Sequence, residues 1–346
     1  MARASLARYF AITENKTVAK FLIAKKVAAD FSNLDSLASL WQQHQKCTQD
    51  FLNLERQLDN GTTSFLRATP EKSYLDLKIQ IATDILQRCH LCSRQCHINR
   101  LADQLGYCGC GNTLPVSSIF AHTGEEPELV PSGTVFTMGC TIRCRHCQNW
   151  EISQWKETPI EYTPKELAEE IETLYSKGCR NINLVGGEPT PWLKHWLETF
   201  TYVNENVSIV WNSNAYYSPQ TAQLLAGFAD VYLLDFKYGP GNCAERISDA
   251  PNYWQVCTRN HLEAKKYGEL LVRVLVLPGH LECCTKPILQ WIAKNLGAGT
   301  RVNLMFQYRP EWRADELPEL RRRLTKAEMD LALQLAKEAG LKNLVK

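Results

Sequence analysis

The sequence lacks a long hydrophobic run, a marked excess of charge of either sign and a recognisable secretion signal. No apolar stretch in the 346 residues approaches the roughly 18–20 residues that a membrane-spanning helix needs, so no membrane partner is expected. The 39 basic and 37 acidic residues leave a net charge of +2, which indicates no bulk electrostatic attraction to nucleic acid. The basic start reaches Glu14 without a clear apolar core, so we expect a cytoplasmic protein without a signal peptide.

Cysteine, in contrast, is abundant. Fourteen cysteines without a secretion signal favour a reducing compartment and metal ligation over disulfides. Cys140, Cys144 and Cys147 follow the spacing C-x3-C-x2-C, directly after the apolar run 135–138. A strand that ends in such a tight loop directs three thiolates at one point, which suits a soft metal ion or an iron–sulfur cluster. If the cluster is a 4Fe–4S cubane, three cysteines leave one iron open for a small molecule.

A second group of cysteines lies upstream of this loop, with the spacing C-x2-C-x3-C and a further cysteine shortly after. Nearby glycines let the backbone wrap closely around an ion, and both zinc and an iron–sulfur cluster are chemically allowed. Cys110 competes for the place of fourth ligand, and His90 and His97 are alternative ligands that suit the surface better. The predicted ligands of this second metal site are Cys89, Cys92, Cys96 and Cys108.

The remaining cysteines have no partner at ligand spacing and are expected to be free thiols, since buried free cysteine is common. The adjacent pair Cys283 and Cys284 is a weaker redox hypothesis, because adjacent cysteines form strained disulfides. The cysteines in this group are Cys47, Cys179, Cys243, Cys257, Cys283 and Cys284.

Three regions follow one another along the chain. Residues 1–88 mix apolar and charged residues at helical spacing and predict a helical extension used for packing or for binding a partner. Residues 89–130 are the predicted cysteine-rich metal-binding segment, and residues 131–346 alternate buried strands with helices and end in a helix. Six apolar strands of this kind predict an α/β fold with a parallel sheet, either curved into a partial barrel or open and doubly wound.

Polar residues stand at the carboxyl ends of three predicted strands, where both kinds of parallel sheet bind ligands. Each of these groups also has an interpretation without a ligand. A Gly-Gly-Glu triplet can be an ordinary turn, Asn and Ser can cap a helix or turn, and an acidic residue near a basic one can form a buried ion pair. As a site, the glycines would admit a ligand and the carboxylate would accept hydrogen bonds from its ammonium group. The predicted cofactor-binding residues are Gly186, Gly187, Glu188, Asn212, Ser213, Asn214, Asp235 and Lys237.

Together these motifs resemble the radical S-adenosylmethionine (radical SAM) superfamily. The cysteine loop matches its cluster motif, and Gly186-Gly187-Glu188 matches its amine-binding motif. Stretches such as 122–127, 235–238 and 276–279 are more closely similar to an iron–sulfur branch related to pyruvate formate-lyase activating enzymes. The resemblance implies a partial (βα)6 TIM-type barrel, a 4Fe–4S cluster and S-adenosylmethionine (SAM). One departure is His146, which stands where the superfamily usually has an aromatic residue.

The resemblance also implies a reaction. Such an enzyme reductively cleaves SAM to a 5′-deoxyadenosyl radical, takes its electron from a donor such as ferredoxin or flavodoxin, and abstracts hydrogen from a substrate. Our first hypothesis is a protein or peptide substrate. The alternatives are a radical SAM enzyme acting on a small metabolite and a non-catalytic iron–sulfur redox sensor or scaffold. A strand end suited to methionine favours catalysis over a sensor, and the sequence assigns no residue to the substrate.

Overall fold

The strands form a single sheet in the computed structural model, which describes residues 2–65 and 68–345. Within these residues the sheet has eight strands. In chain order they are β1 (Leu114–His122), β2 (Ser132–Thr137), β3 (Ile160–Tyr162), β4 (Asn181–Gly186), β5 (Ser208–Ser213), β6 (Val231–Asp235), β7 (Glu269–Leu275) and β8 (Arg301–Met305).

Six of these strands run parallel as neighbours in the order β2-β4-β5-β6-β7-β8, and β1 and β3 extend the sheet beyond β2 as antiparallel strands. In the whole sheet β3 and β8 are the two edge strands and do not pair with each other, so the sheet is consistent with a partial barrel rather than a closed one. The predicted fold class is confirmed. The sequence indicated the six parallel strands but not β1 and β3, because β1 carries polar Ser117 and Ser118 and β3 has three residues.

Three of the helices begin at a capping box. These boxes stand at Ser73 with Asp76, at Thr163 with Glu166 and at Thr325 with Glu328. In the described ranges, no helix has both the length and the apolar character needed to cross a membrane. The helices are α1 (Ala2–Ser5), α2 (Ala7–Thr13), α3 (Lys20–Ala24), α4 (Leu37–Asp59), α5 (Tyr74–Gln87), α6 (Trp150–Ser153), α7 (Pro164–Ser176), α8 (Leu193–Tyr202), α9 (Pro219–Leu225), α10 (Cys243–Ser248), α11 (Tyr253–Tyr267), α12 (Lys286–Trp291) and α13 (Lys326–Glu338).

The first residues of the chain pack against the amino-terminal end of the sheet. Leu6 and Tyr9 are fully buried in an apolar cluster with residues of β5, β6 and β7. The Glu269 carboxylate, at the start of β7, accepts hydrogen bonds from the backbone N–H groups of Arg8 and Tyr9, both at 2.7 Å. The amide of Asn181, at the start of β4, donates to the Tyr9 hydroxyl at 3.0 Å. The helical extension therefore covers one end of the sheet and leaves the carboxyl ends of the strands for a site.

The proposed division of the chain at residues 88 and 130 stays a prediction. β1 begins at Leu114, inside the segment 89–130, and pairs along β2 in the segment that follows. The cysteine-rich segment is thus joined to the sheet through one of its strands.

Candidate active site

A cavity of about 380 Å³ opens among the carboxyl ends of the parallel strands, within the size range of small-molecule sites. Three cysteines of the C-x3-C-x2-C loop line it, and so does every residue predicted to bind the cofactor. The structure thus brings together two motifs that the sequence separates by some forty residues, while their binding of a cofactor stays a prediction. The predicted residues in the wall are Cys140, Cys144, Cys147, Gly186, Gly187, Glu188, Asn212, Ser213, Asn214, Asp235 and Lys237.

The cysteine loop is held by its backbone. Gly139, directly after β2, has a φ of +82° that favours glycine, and its N–H donates to the Ile152 carbonyl at 3.0 Å. The Arg143 N–H donates to the carbonyl of Ser248 at 2.8 Å, and the Arg145 N–H donates to the carbonyl of Ile247 at 3.0 Å. The loop is therefore fixed on one side by α6 and on the other by the end of α10.

Each of the three thiols has a polar neighbour. Burial raises the pKa of Cys144 to about 11 and also raises the pKa values of Cys140 and Cys147, so a cation is needed to hold them as thiolates. Hydrogen bonds to cluster sulfurs tune the reduction potential of an iron–sulfur centre. The neighbours are Asn214 Nδ2 at 3.6 Å from Cys140 Sγ, Ser248 Oγ at 3.0 Å from Cys144 Sγ and Ser153 Oγ at 3.3 Å from Cys147 Sγ.

His146, the departure from the superfamily pattern, is buried between two tyrosines. Its Nε2 lies 2.9 Å from the Tyr238 hydroxyl, and its ring packs edge-on against Tyr308 with centroids 5.8 Å apart. Burial lowers the pKa of His146 to about 3, so the ring is neutral at physiological pH. The histidine therefore occupies an aromatic position as a neutral ring that also hydrogen-bonds.

The end of β4 packs directly on the cysteine loop, which explains its two glycines. A Cβ added to Gly186, whose φ is +133°, would overlap the backbone of Thr137. A Cβ added to Gly187 would overlap the carbonyl oxygen of Gly139 and lie 3.0 Å from the Cα of Ser153. These positions accept only glycine because backbone meets backbone there.

Gly187→Ala is expected to lower the rate of SAM cleavage by about 100-fold, because displacing the loop by about 1 Å misplaces the reacting groups. The measurement is 5′-deoxyadenosine formed per minute by reduced, reconstituted protein. Gly241→Ala is the matched control, since an added Cβ there meets nothing within 4 Å. Equal rates for the two variants would show that the contact between β4 and the loop has no role in positioning.

Glu188 joins the ends of β4 and β5. Its Oε1 accepts hydrogen bonds from the hydroxyls of Ser213, at 2.6 Å, and Thr190, and its Oε2 accepts one from the backbone N–H of Asn214 at 2.9 Å. Burial raises the pKa of Glu188, and these hydrogen bonds lower it in part. A carboxylate oxygen has room for a second donor, so Oε2 retains capacity for a ligand ammonium.

Asp235 and Lys237, at the end of β6, point to the same side of the chain. Lys237 Nζ lies 2.5 Å from Asp235 Oδ2, and both residues line the cavity. Burial opposes the charge of Lys237, but the Asp235 carboxylate and the Cys144 thiol together raise its pKa above the usual value. Asp235 and Lys237 therefore form an ion pair and also line the cavity, so the two interpretations are compatible. The pair places a cation beside the cysteine loop.

Sequence reasoning missed a charged network in the floor of the cavity. Arg273, on β7, donates to both carboxylate oxygens of Glu126 at 2.8 and 2.7 Å and also to Glu125. The amide of Asn303, on β8, donates to the same Glu126 at 2.8 Å. The available signal was a single arginine inside the apolar strand 269–275, since an unpaired charge is rarely buried.

The upstream cysteines are placed near one another but not in a tight group. Burial and the neighbouring Cys108 both raise the pKa values of Cys89 and Cys92, whereas a hydrogen bond from the Cys110 thiol and the charge of Arg100 lower the pKa of Cys108 to about 6. The Cys110 thiol is fully buried and lies 3.9 Å from the carbonyl of Met138. Metal binding by the predicted set, which includes exposed Cys96, stays a prediction, and so does the choice of Cys108 over Cys110 as fourth ligand.

Three of the other cysteines lie close together in the fold. Cys243, Cys283 and Cys284 are free thiols, as expected, but the fold brings them together with His280, and the ligand atoms of the four residues all lie within 4.8 Å of one another. Cys243 follows β6 and the other three follow β7, so spacing along the chain gave no sign of the group. Cys47, Cys179 and Cys257 are buried free thiols, as expected.

Comparisons with known proteins agree with this site. A family model described as the radical SAM superfamily matches residues 134–292. The chain is 43% identical to uncharacterized protein MJ0674 of Methanocaldococcus jannaschii over 347 residues, which cover 97% of this chain and 98% of that protein. It is 27% identical to MJ0808 of the same organism over 287 residues, which cover 74% and 79%. The crystal structure of Streptococcus suis SuiB bound to precursor peptide SuiA matches 60% of this chain and 46% of that one, with 13% identity and a TM-score of 0.41.

The chain therefore belongs to the radical SAM superfamily, as its motifs indicated. Membership supports an enzyme with SAM-dependent radical chemistry, and it implies a 4Fe–4S cluster and SAM as its cofactors. The residues present fit both groups, because two buried thiols and the half-buried Cys147 share a cavity with the end of β4, whose close approach to the cysteine loop requires glycine.

Proposed function

We propose that this protein is a radical SAM enzyme that abstracts hydrogen from a protein or peptide substrate, in the manner of an activating or modifying enzyme. The observation that carries the proposal is the shared cavity, in which the three thiols face the polar ends of β4, β5 and β6. When bound, the cluster and SAM would supply an electron and a 5′-deoxyadenosyl radical, which is the demanding part of the chemistry.

The chain's own residues would hold and orient these groups. Cys140, Cys144 and Cys147 would hold the cluster, and Glu188 would accept hydrogen bonds from the ammonium of the cosubstrate. The cation of Lys237 would offset negative charge beside Cys144. Apolar side chains in the wall would keep water from a reactive intermediate. The apolar residues of the wall include Phe136, Ile142, Val185, Leu275 and Met305.

The size and rim of the cavity favour a substrate that approaches from outside. A cavity of about 380 Å³ lies near the lower end of the range for single-ligand pockets, so the cosubstrate would occupy most of it. The exposed Gln148 and Asn149 in the wall are followed by Trp150, whose ring stacks on Trp312 with centroids 4.6 Å apart. Aromatic side chains of this kind are frequent anchors of protein interfaces. A residue carried on a peptide could therefore dock at the rim and reach inward.

The same rim suggests how an electron would arrive. Cys147 is followed at once by the two exposed residues Gln148 and Asn149, so the cluster loop lies close to the surface. We propose a small electron carrier, such as ferredoxin or flavodoxin, as the donor at this face. We also propose that the upstream cysteines Cys89, Cys92, Cys96 and Cys108 hold a second iron–sulfur cluster or zinc.

The function is tested by anaerobic reconstitution with iron and sulfide, reduction with dithionite, addition of SAM and chromatography of the products. We expect methionine and 5′-deoxyadenosine in equal amounts. We further expect the rate to rise when the protein fraction of a dialysed extract of the source cells is added, and not when the dialysable fraction is added.

The alternatives give different results in the same assay. Stimulation by the dialysable fraction alone would indicate a small metabolite as substrate. A fully clustered, reduced protein that forms no 5′-deoxyadenosine would exclude catalysis of this kind and leave the redox sensor or scaffold.

A further inference from the structure

Four potential metal ligands meet beside the active-site cavity, in a group separate from both cysteine motifs. Cys243 is the first residue of α10, after β6. After β7, His280 lies directly before a short π-helix at Leu281–Thr285, which contains Cys283 and Cys284. Cys243 Sγ lies 3.7 Å from Cys283 Sγ, which lies 3.8 Å from Cys284 Sγ. His280 Nδ1 lies 3.5 Å from Cys243 Sγ and 3.3 Å from Cys283 Sγ.

We infer that these four residues bind one zinc ion with tetrahedral Cys3His coordination. In a tetrahedron with Zn–S bonds of about 2.3 Å and a Zn–N bond of about 2.0–2.1 Å, two sulfurs lie about 3.8 Å apart and sulfur and nitrogen about 3.5 Å apart. Four of the six distances between the ligand atoms, 3.7 and 3.8 Å between sulfurs and 3.5 and 3.3 Å between sulfur and nitrogen, are close to these edges, and the two others are within 4.8 Å. Four protein ligands close the coordination sphere, which is typical of a structural zinc site rather than a catalytic one.

The geometry argues against the other uses of clustered cysteines. A disulfide requires an S–S bond of about 2.03–2.05 Å and strained backbone for adjacent residues, whereas the Cys283 and Cys284 sulfurs lie 3.8 Å apart. A cluster with several irons spreads its ligands around more than one metal. All four ligand atoms here lie within 4.8 Å of one another, as ligands of a single ion do.

A carboxylate stands behind the histidine ligand. His280 Nε2 is buried, has no hydrogen-bond partner within the part of the chain that the structure describes, and lies 3.6 Å from Glu319 Oε1. Glu319 is itself held by Arg246 at 2.6 Å. Histidine ligands of metals usually donate their second ring N–H to a carboxylate or carbonyl, which fixes the tautomer that leaves the other nitrogen free to bind. The arrangement therefore presents Nδ1 to the ion.

The zinc would support the cysteine loop of the active site through α10. Cys243 begins this helix, and Ser248 ends it, donating to Cys144 Sγ at 3.0 Å and accepting the backbone N–H of Arg143. The short π-helix after β7 also packs closely on the chain after β6, since a Cβ on Gly239 would overlap the carbonyl oxygen of Cys283. The ion would thus join two segments that form one side of the cluster site.

The test is metal analysis of the full-length protein after expression with added zinc and anaerobic reconstitution with iron. In a Cys92→Ser background, which removes the upstream site, we expect one zinc per chain, at least tenfold less zinc when Cys283→Ser is added, and unchanged iron. Cys283 is exposed, so its replacement disturbs packing little. Cys179→Ser, at a buried thiol elsewhere, is the control and keeps the zinc. Zinc-edge X-ray absorption of the Cys92→Ser variant is expected to show three sulfurs and one nitrogen.

Several results would overturn the inference. Zinc that persists in both Cys243→Ser and Cys283→Ser but disappears in Cys92→Ser would place the ion at the upstream cysteines. Absence of zinc from Cys92→Ser, or iron in place of zinc at Cys243 and Cys283, would show that this group is not a zinc site. Cobalt gives an independent readout. The metal-free Cys92→Ser protein must show thiolate-to-cobalt absorption when cobalt is added, and the double variant Cys92→Ser/Cys283→Ser must not.

Discussion

Replacing Cys144 by alanine is expected to abolish 5′-deoxyadenosine formation, with a loss of about 1,000-fold or more. The cofactors supply the reactive chemistry, and enzymes of all classes accelerate their reactions by about 10⁶-fold or more, so little activity survives without the cluster. Cys144 is the middle ligand of the loop and receives a hydrogen bond from Ser248 at 3.0 Å. Two remaining thiols do not hold a cubane in a defined position. The measurement is iron content together with chromatographic product formation.

Cys47→Ala is the matched control, because it also removes a buried thiol. Cys47 lies on α4 in the helical extension, and its sulfur is 3.6 Å from the carbonyl of Ala28. We expect this variant to keep its iron and its activity. A Cys144→Ala protein that retained both would disprove the assignment of the loop as the cluster site.

Arg273→Met is expected to reduce the free energy of unfolding by about 3–5 kcal/mol at pH 7, because it leaves a buried carboxylate without its cation. Arg273 hydrogen-bonds both oxygens of Glu126, whose side chain is fully buried, and also contacts Glu125. Methionine fills much of the space of the arginine side chain, so the loss of stability measures the effect of leaving the Glu126 carboxylate unpaired. The measurement is chemical denaturation followed by tryptophan fluorescence. Arg309→Met, which breaks an exposed pair with Glu311, is the control and costs about 1 kcal/mol or less.

The same variant should change the pH dependence of stability. Burial alone would raise the pKa of Glu126, but the charge and hydrogen bonds of Arg273 lower it below the ordinary 4.5. In the native protein the stabilisation from ionised Glu126 is fully present above the ordinary carboxyl pKa, and it is lost as the pH falls through the lowered pKa of Glu126. Without Arg273, burial raises the pKa of Glu126, so the variant takes up a proton more readily. The stability difference should therefore narrow from pH 7 toward pH 5, and a constant difference would contradict the ionic explanation.

The sequence predicted those parts of the molecule that depend on short stretches of chain. The C-x3-C-x2-C loop and the Gly-Gly-Glu strand end are each contained in a few residues, and the six parallel strands are continuous apolar runs. The antiparallel β1 was missed because the adjacent polar residues Ser117 and Ser118 interrupt its apolar residues.

The features that sequence reasoning missed depend on distant residues. Arg273 and Glu126 are 147 residues apart, and each alone reads as an ordinary charge. Cys243 and Cys283 are 40 residues apart and belong to different strand–helix units. These thiols come together because β6 pairs with β7. The spacing of residues along the chain does not show which strands are neighbours in the sheet.

The contact between the first helices and the far end of the sheet has a consequence for folding. Arg8 and Tyr9 bind Glu269, which lies 261 residues beyond Arg8, so these two residues make this contact only after the start of β7 has been made. Contacts of such long range slow folding, since the connecting chain must be ordered before they form. This contact therefore forms late during synthesis, although Arg8 and Tyr9 are made some 260 residues before Glu269. Until then the buried faces of β5 and β6 stay uncovered, and the growing chain is most exposed to aggregation in that interval.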